Sequence, residues 1–208
     1  MNLESFENIV QWLGGLLAYT TLGVILYGIW RGTRRPAGRI TGQMGHYLRS
    51  PWFYIITSAI FFGICYLCWI PLPLTFSPQA RSWILVAGSL LYFPGMSFAL
   101  WGRLALGRNY FVSTGFGAQL FANQRLVIKG PFAIVRHPMY AGLILAALGS
   151  LLIYHTWTAL LLVFFAPALS FRARREEAAL AAEFGMQWQA YCQRVPAFLP
   201  RIGKERTP

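Results

Sequence analysis

The chain has 208 residues, of which 56% are hydrophobic and 12% charged, with a formal net charge of +12 and a mean hydropathy of +0.48. An average soluble domain carries roughly 25% charged residues, so this composition excludes an ordinary water-soluble protein and indicates an integral membrane one. The positive charge is spread over separate short loops, not gathered in one stripe beside a recognition helix; this sets nucleic acid aside and leaves anionic membrane lipids as the simpler partner.

In chain order, apolar segments at residues 9–30, 52–74, 82–102, 138–153 and 157–171 predict about five transmembrane helices and an all-α, polytopic membrane fold. A span needs roughly 20 apolar residues. The first three segments meet this; the last two are short and are expected to cross as a C-terminal helical hairpin, opened by Pro138 and closed near Phe171-Arg172. Residues 1–8, with Glu4 and Glu7, lack a basic leader, so the first segment is expected to be retained as a helix. Residues 1–104 read as a three-helix membrane region, and 105–208 as the region carrying the chemistry, within a single integrated domain.

Basic residues bias cytoplasmic loops. Seventeen of them follow the first, third and fifth segments, and Arg81 alone follows the second. The N-terminus is therefore expected outside and the C-terminus in the cytoplasm, in the inner membrane if the source is bacterial. Cys65 and Cys68 fall inside a span and Cys192 near the C-terminus, which gives no disulfide framework and no metal site. His46 and His155 are expected in loops as surface residues.

Between the third and fourth segments the chain holds Leu106-Gly107-Arg108-Asn109-Tyr110, a Gly115-Phe116-Gly117 turn and Lys129-Gly130-Pro131. The last turn leads directly into Arg136-His137-Pro138-Met139-Tyr140. Proline is favoured at the first helical position, which puts His137 at the N-cap and leaves the N–H groups of Met139 and Tyr140 open to an anion. The hairpin midpoint between His137 and Glu176 falls between Thr156 and Trp157, in the polar run Tyr154–Trp157. His137 and the pair Glu176-Glu177 should then return to the same membrane face, at similar depth.

Adjacent carboxylates on a helix lie about 100° apart and are not expected to share a partner. The chain has six acidic residues and no Asp, and ionisable groups at membrane depth are functional candidates by default. Leu180, Phe184, Trp188 and Tyr191 form an apolar stripe at spacings of four, four and three. It reads as an interfacial helix or as an aromatic lid over a cofactor, and Gly185 as a kink in it. An anion-binding helix start, carboxylates and aromatics together suit a zwitterionic ligand bearing an adenosine and a cation. S-adenosylmethionine has these groups; a nicotinamide dinucleotide is equally permitted on physical grounds.

The run Gly130-Pro131-Phe132 through Arg136-His137-Pro138-Met139-Tyr140-Ala141-Gly142, followed by Glu176-Glu177, Leu180, Phe184-Gly185, Tyr191 and Val195-Pro196, resembles the isoprenylcysteine carboxyl methyltransferase family and its phospholipid methyltransferase relatives. The likeness covers roughly residues 105 to 202. It implies S-adenosylmethionine as cofactor, held at the cytoplasmic face by Lys129, Gly130, Pro131, His137, Tyr140, Glu176, Glu177 and Tyr191. It implies a lipophilic or lipid-anchored acceptor with a carboxylate, amine or thiol, and catalytic roles for Arg136, which would orient the acceptor or the cofactor carboxylate, and for Glu176; Glu176 or Glu177 would take a proton if one had to leave. Phe132 and Trp188 stand where that family often has Tyr. The same Arg-His-Pro and Phe-Gly-x-x-Trp-x-x-Tyr pattern also resembles NADPH-dependent membrane sterol reductases, which usually carry an acidic residue where this chain has Leu143. That is the second reading; a non-catalytic protein organising lipid is the third.

Overall fold

The computed structural model describes residues 2–34, 37–41, 50–110, 112–114, 117–121 and 124–200. The fold is an all-α membrane fold built from α1 (Leu3–Thr33), α2 (Pro51–Leu67), α3 (Pro78–Leu106), α4 (Pro138–Tyr154), α5 (Trp157–Phe165) and α6 (Ala168–Arg194). Leu3–Gly32, Pro78–Asn109 and the nearly continuous Trp157–Arg194 are long and apolar enough to cross a bilayer, and Trp52–Leu67 and Pro138–Tyr154 are shorter apolar helices. Their outer faces are apolar: Trp12 is 82% exposed and Phe164 73%, as lipid-facing side chains are.

One expected span has a different length. The segment 52–74 is helical only to Leu67, because Pro71 and Pro73 cannot donate to a continuing helix. The last span runs on past 171, as the helix-forming run Arg172 through Phe184 leads one to expect: Pro167 bends the chain after α5, and α6 continues to Arg194. Gly185, at φ 50°, breaks α6 internally, a conformation glycine adopts without steric cost.

A glycine seam sets the core. Gly88, Gly95 and Gly102 recur every seven residues on α3, opposite Gly142 and Gly149 on the antiparallel α4. A β-carbon at Gly95 would lie 2.8 Å from Gly142 O, and one at Gly149 would meet Tyr92 N and Gly88 O. The two backbones therefore touch, the close approach that small residues permit in membranes. Leu85, Tyr92, Met96, Ala146 and Ile153 fill the space beside the seam together with Val10 of α1.

α1 runs parallel to α3. Glu7 pairs with Arg81 at 2.7 Å, Tyr92 donates to Gly14 O at 2.9 Å, and the Arg103 guanidinium packs on Gly28. The ends of α1 and α3 thus share a face with the start of α4, whose Pro138 and Met139 touch Gly102. At the opposite face Gln11 donates to Ile153 O at 3.2 Å and Tyr154 to Gln11 O at 2.8 Å. There His155 occupies the left-handed region at φ 48° and is half-buried, its ring 5.4 Å from Phe76. It is in the expected turn but not on the open surface, because residues 68–72 strap that turn through Leu72 N to His155 O (2.7 Å) and Trp157 N to Ile70 O (3.0 Å).

A small antiparallel sheet joins two segments expected to be loops. Strands β1 (Ala37–Thr41), β2 (Val112–Thr114) and β3 (Gly117–Phe121) lie in the order β1-β3-β2, with Ala37 opposite Phe121 and Val112 opposite Gln119. His46 and the Gly115-Phe116 turn lie outside the described residues.

Candidate active site

The site is built on a rigid backbone frame. Gly130, at φ 64°, opens a 3₁₀ turn over Gly130–Ala133, and Pro131 O accepts from both Ile134 N and Val135 N. Val135 is fully buried. Arg136 N then donates to Pro196 O at 2.8 Å and His137 N to Ala197 O at 3.0 Å, so the segment after α6 clamps the start of α4. Pro138 is the first helical residue and His137 the N-cap, but its imidazole makes no capping hydrogen bond. The ring is 6% exposed and stacks between Tyr140 at 5.7 Å and Phe198 at 5.4 Å.

The imidazole is thereby free to engage both glutamates. Its Nε2 lies 2.9 Å from Glu177 Oε1, and its Nδ1 lies 3.9 Å from Glu176 Oε2. The two carboxylates do share a partner after all, because the ring offers nitrogens on different edges and so spans the angle between adjacent helical positions.

Glu177 is the member held by Arg136. Its Oε1 also accepts from Arg136 Nε at 3.0 Å and Nη2 at 2.8 Å. Arg136 Nη1 donates to Val195 O at 2.7 Å and Cys192 O at 3.4 Å, satisfying carbonyls that a helix C-terminus otherwise leaves unpaired. A guanidinium has five donors. Four of Arg136's are engaged, which leaves one N–H on Nη2 without a partner among the described residues.

Glu176 lies outside this clamp and is the more buried of the two, its side chain 13% exposed against 26% for Glu177. Tyr140 Oη donates to Glu176 Oε1, and Arg172 Nε stands 3.8 Å from the same oxygen. Arg172 also lies over the Tyr140 ring at 5.6 Å. The charge of Glu176 is thus balanced from its own helix.

Glu176, His137, Arg136 and Tyr140 border one cleft of about 750 Å³, its open mouth included, floored by the first turn of α4. Its apolar wall is the expected stripe: Leu180, Trp188 and Tyr191 face inward, with Leu126 and Phe132 beside them. Tyr191 Oη donates to Phe132 O at 2.7 Å, which fixes α6 to the 3₁₀ turn. Tyr110 forms another wall. Burial pushes its phenol pKa up, and the charges of Arg172 and Arg103 oppose this only in part.

Of the residues singled out from sequence, Arg136, His137, Tyr140, Glu176 and Tyr191 line the cleft, and Glu177 joins them through Arg136 and His137 without lining it. Lys129, Gly130 and Pro131 are not among the lining residues: Lys129 is exposed, Pro131 is buried, and Gly130 faces Trp101. That turn reaches the cleft only through Phe132. Sequence reasoning missed Phe198, Tyr110 and the cleft-lining position of Arg172. The Val195-Pro196 motif pointed to the segment that carries Phe198, whereas nothing in the spacing marked Tyr110.

Comparison with known proteins agrees with this architecture. Residues 83–187, half of the chain, match the family model for phospholipid methyltransferases. The chain is also similar to a Delta(14)-sterol reductase of Mus musculus, 28% identical over 156 residues, covering 62% of this chain and 35% of the relative. It therefore spans about a third of the length of that relative. The match begins within α3 and runs through the glycine seam, the His137 turn and both glutamates: the chain belongs to the phospholipid methyltransferase family of membrane methyltransferases.

Proposed function

We propose that the protein uses S-adenosylmethionine to methylate a carboxylate, amine or thiol on a lipophilic or amphiphilic acceptor, at the cytoplasmic membrane face, with the N-terminus outside. The observation that carries this reading is the meeting of His137, Glu176 and the first turn of α4 at one cleft walled by aromatic side chains. The donor set suits the cofactor. Glu176 offers carboxylate oxygens to a ribose diol, the α4 start suits an amino acid carboxylate, and Tyr140, Phe132 and Trp188 offer ring faces to a cation. When bound, S-adenosylmethionine supplies an electrophilic methyl group.

The chain's own residues align and dry the site. Glu177 and Arg136 hold His137 in one orientation, and four engaged guanidinium donors make Arg136 chiefly a positioning residue. Glu176 is the group that takes a proton if the acceptor must lose one, with Tyr140 holding its other side. Leu180, Trp188 and Tyr191 exclude water from the reacting groups. Gly130 and Pro131 set the turn that carries Phe132 to the cleft, and Lys129 stands at its exposed shoulder.

Mass spectrometry of lipids and small molecules, from cells with and without the protein and fed methyl-labelled S-adenosylmethionine, tests this. A labelled amphiphile that depends on the protein is expected. Protein-dependent oxidation of NADPH on addition of an enone lipid, with no label transferred, supports instead the reductase activity that the mouse relative's name describes.

A further inference from the structure

A second cavity lies between the ends of α1 and α3, about 920 Å³ with its mouth included, and it carries three guanidiniums: Arg31, Arg103 and Arg108. Among the described residues its lining holds no carboxylate. The chain's acidic residues are Glu4, Glu7, Glu176, Glu177, Glu183 and Glu205. Glu4 and Glu7 sit at the far end of α1, Glu176 and Glu177 belong to the cleft, Glu183 is exposed on α6, and Glu205 lies outside the described residues.

Arg103 is the fixed member. It is 6% exposed, its Nε has no hydrogen-bond partner among the described residues, and Tyr110 supports its guanidinium plane at 4.0 Å. Its other edge occupies the room left by Gly28, where a β-carbon would collide with Nη2. Arg31 stands exposed in the last turn of α1. A buried, oriented guanidinium with further arginines beside it matches the geometry of a phosphate group, which accepts bidentate hydrogen bonds.

We propose that this cavity is a phosphate-binding site that holds the phosphate group of one membrane phospholipid per chain, distinct from the cleft and separated from it by Tyr110. A snorkelling arginine reaches lipid phosphates with an exposed, flexible head; Arg103 is buried and braced on both sides. Tyr110 lines both spaces, so the bound headgroup lies against the cleft's wall.

Native mass spectrometry of the full chain in detergent tests this, with dioleoyl phosphatidic acid, dioleoyl phosphatidylglycerol and dioleoylglycerol as probes. The wild-type chain is expected to retain one phosphate-bearing lipid at least about tenfold more tightly than dioleoylglycerol, the difference expected of charge-assisted hydrogen bonds. Gly28→Ala, which favours the α1 helix yet displaces the guanidinium, and Arg103→Gln are each expected to remove most of that preference. Arg31→Gln, at the exposed rim, is expected to weaken it less. Equal retention of dioleoylglycerol, or a preference that survives both Gly28→Ala and Arg103→Gln, overturns the proposal. Inorganic phosphate at millimolar concentration is expected not to displace the lipid; displacement assigns the cavity to free phosphate and overturns the lipid assignment. S-adenosylmethionine binding plays no part in this readout, so the site stands or falls independently of the methyltransferase reading.

Discussion

His137 Nε2 and Glu177 Oε1 meet at 2.9 Å although forty positions separate the two residues in the chain. The contact joins the start of α4 to the middle of α6, and Arg136 closes the same oxygen from the other side. One carboxylate thereby orients the imidazole and anchors the guanidinium that caps the end of α6.

Glu177→Gln should consequently act on the fold as well as on binding. The amide keeps the shape but loses the charge that three donors address, and both partners are largely buried. The expected loss is about 1–3 kcal/mol, seen as a lower melting temperature in detergent together with weaker cofactor binding. An unchanged melting temperature would show that the clamp is not structural.

Glu176→Gln should separate binding from stability. Glu176 shares its charge with Arg172 and accepts from Tyr140, while its carboxylate borders the cleft. The variant is expected to lose less stability than Glu177→Gln, because the amide oxygen can still accept from Tyr140 and no guanidinium clamp is broken. Its S-adenosylmethionine affinity is expected to fall about tenfold, the loss of one charge-assisted hydrogen bond. Equal damage from Gln at 176 and at 177 would contradict the division of roles between them.

The glycine seam makes a prediction by contrast. Gly149→Ala drives a methyl group into Tyr92 N and Gly88 O, which are backbone atoms and cannot rotate away, whereas a β-carbon at Gly63 meets nothing within 4 Å. Gly149→Ala should cost about 1–3 kcal/mol and reduce the yield of monodisperse protein. Gly63→Ala should be neutral or slightly stabilising, since Ala is the better helix former. Thermal melts of the two variants side by side check this.

Tyr191→Phe removes the donor to Phe132 O, a bond made in a buried setting. Leaving that carbonyl unpaired is expected to cost about 1–3 kcal/mol and to loosen the apolar wall. Thermal melting together with protease sensitivity of residues 126–135 provides the measurement; no change in either would mean that the ring alone holds α6 in place.

Membrane helices were legible because bilayer thickness writes itself into apolar run length, and α1 and α3 follow their runs. Hydropathy does not record backbone hydrogen bonding, so the run 52–74 concealed the helix end at Leu67 before Pro71 and Pro73. The continuation through α6 was legible in helix propensity instead, since Arg172 through Phe184 is rich in Ala, Glu, Leu and Arg. The sheet was invisible for another reason: β1 pairs with β3 across some eighty residues, and neither strand has enough alternating residues to announce itself. At the site, the symmetric positions of His137 and Glu176 about the Tyr154–Trp157 turn foretold their meeting. The unequal parts of Glu176 and Glu177 were not foretold, because helical angle alone says nothing of a ring with nitrogens on two edges. Tyr110 came to the cleft's wall through packing against Arg103, which no spacing encodes.

Isothermal calorimetry of S-adenosylmethionine binding to the detergent-solubilised chain tests the central claim most directly, with His137→Ala and Glu176→Gln alongside. Saturable binding at one site per chain, weakened at least about tenfold in both variants, is the predicted result. No heat with S-adenosylmethionine in a folded protein that binds NADPH tightly, or binding that neither variant disturbs, would contradict it.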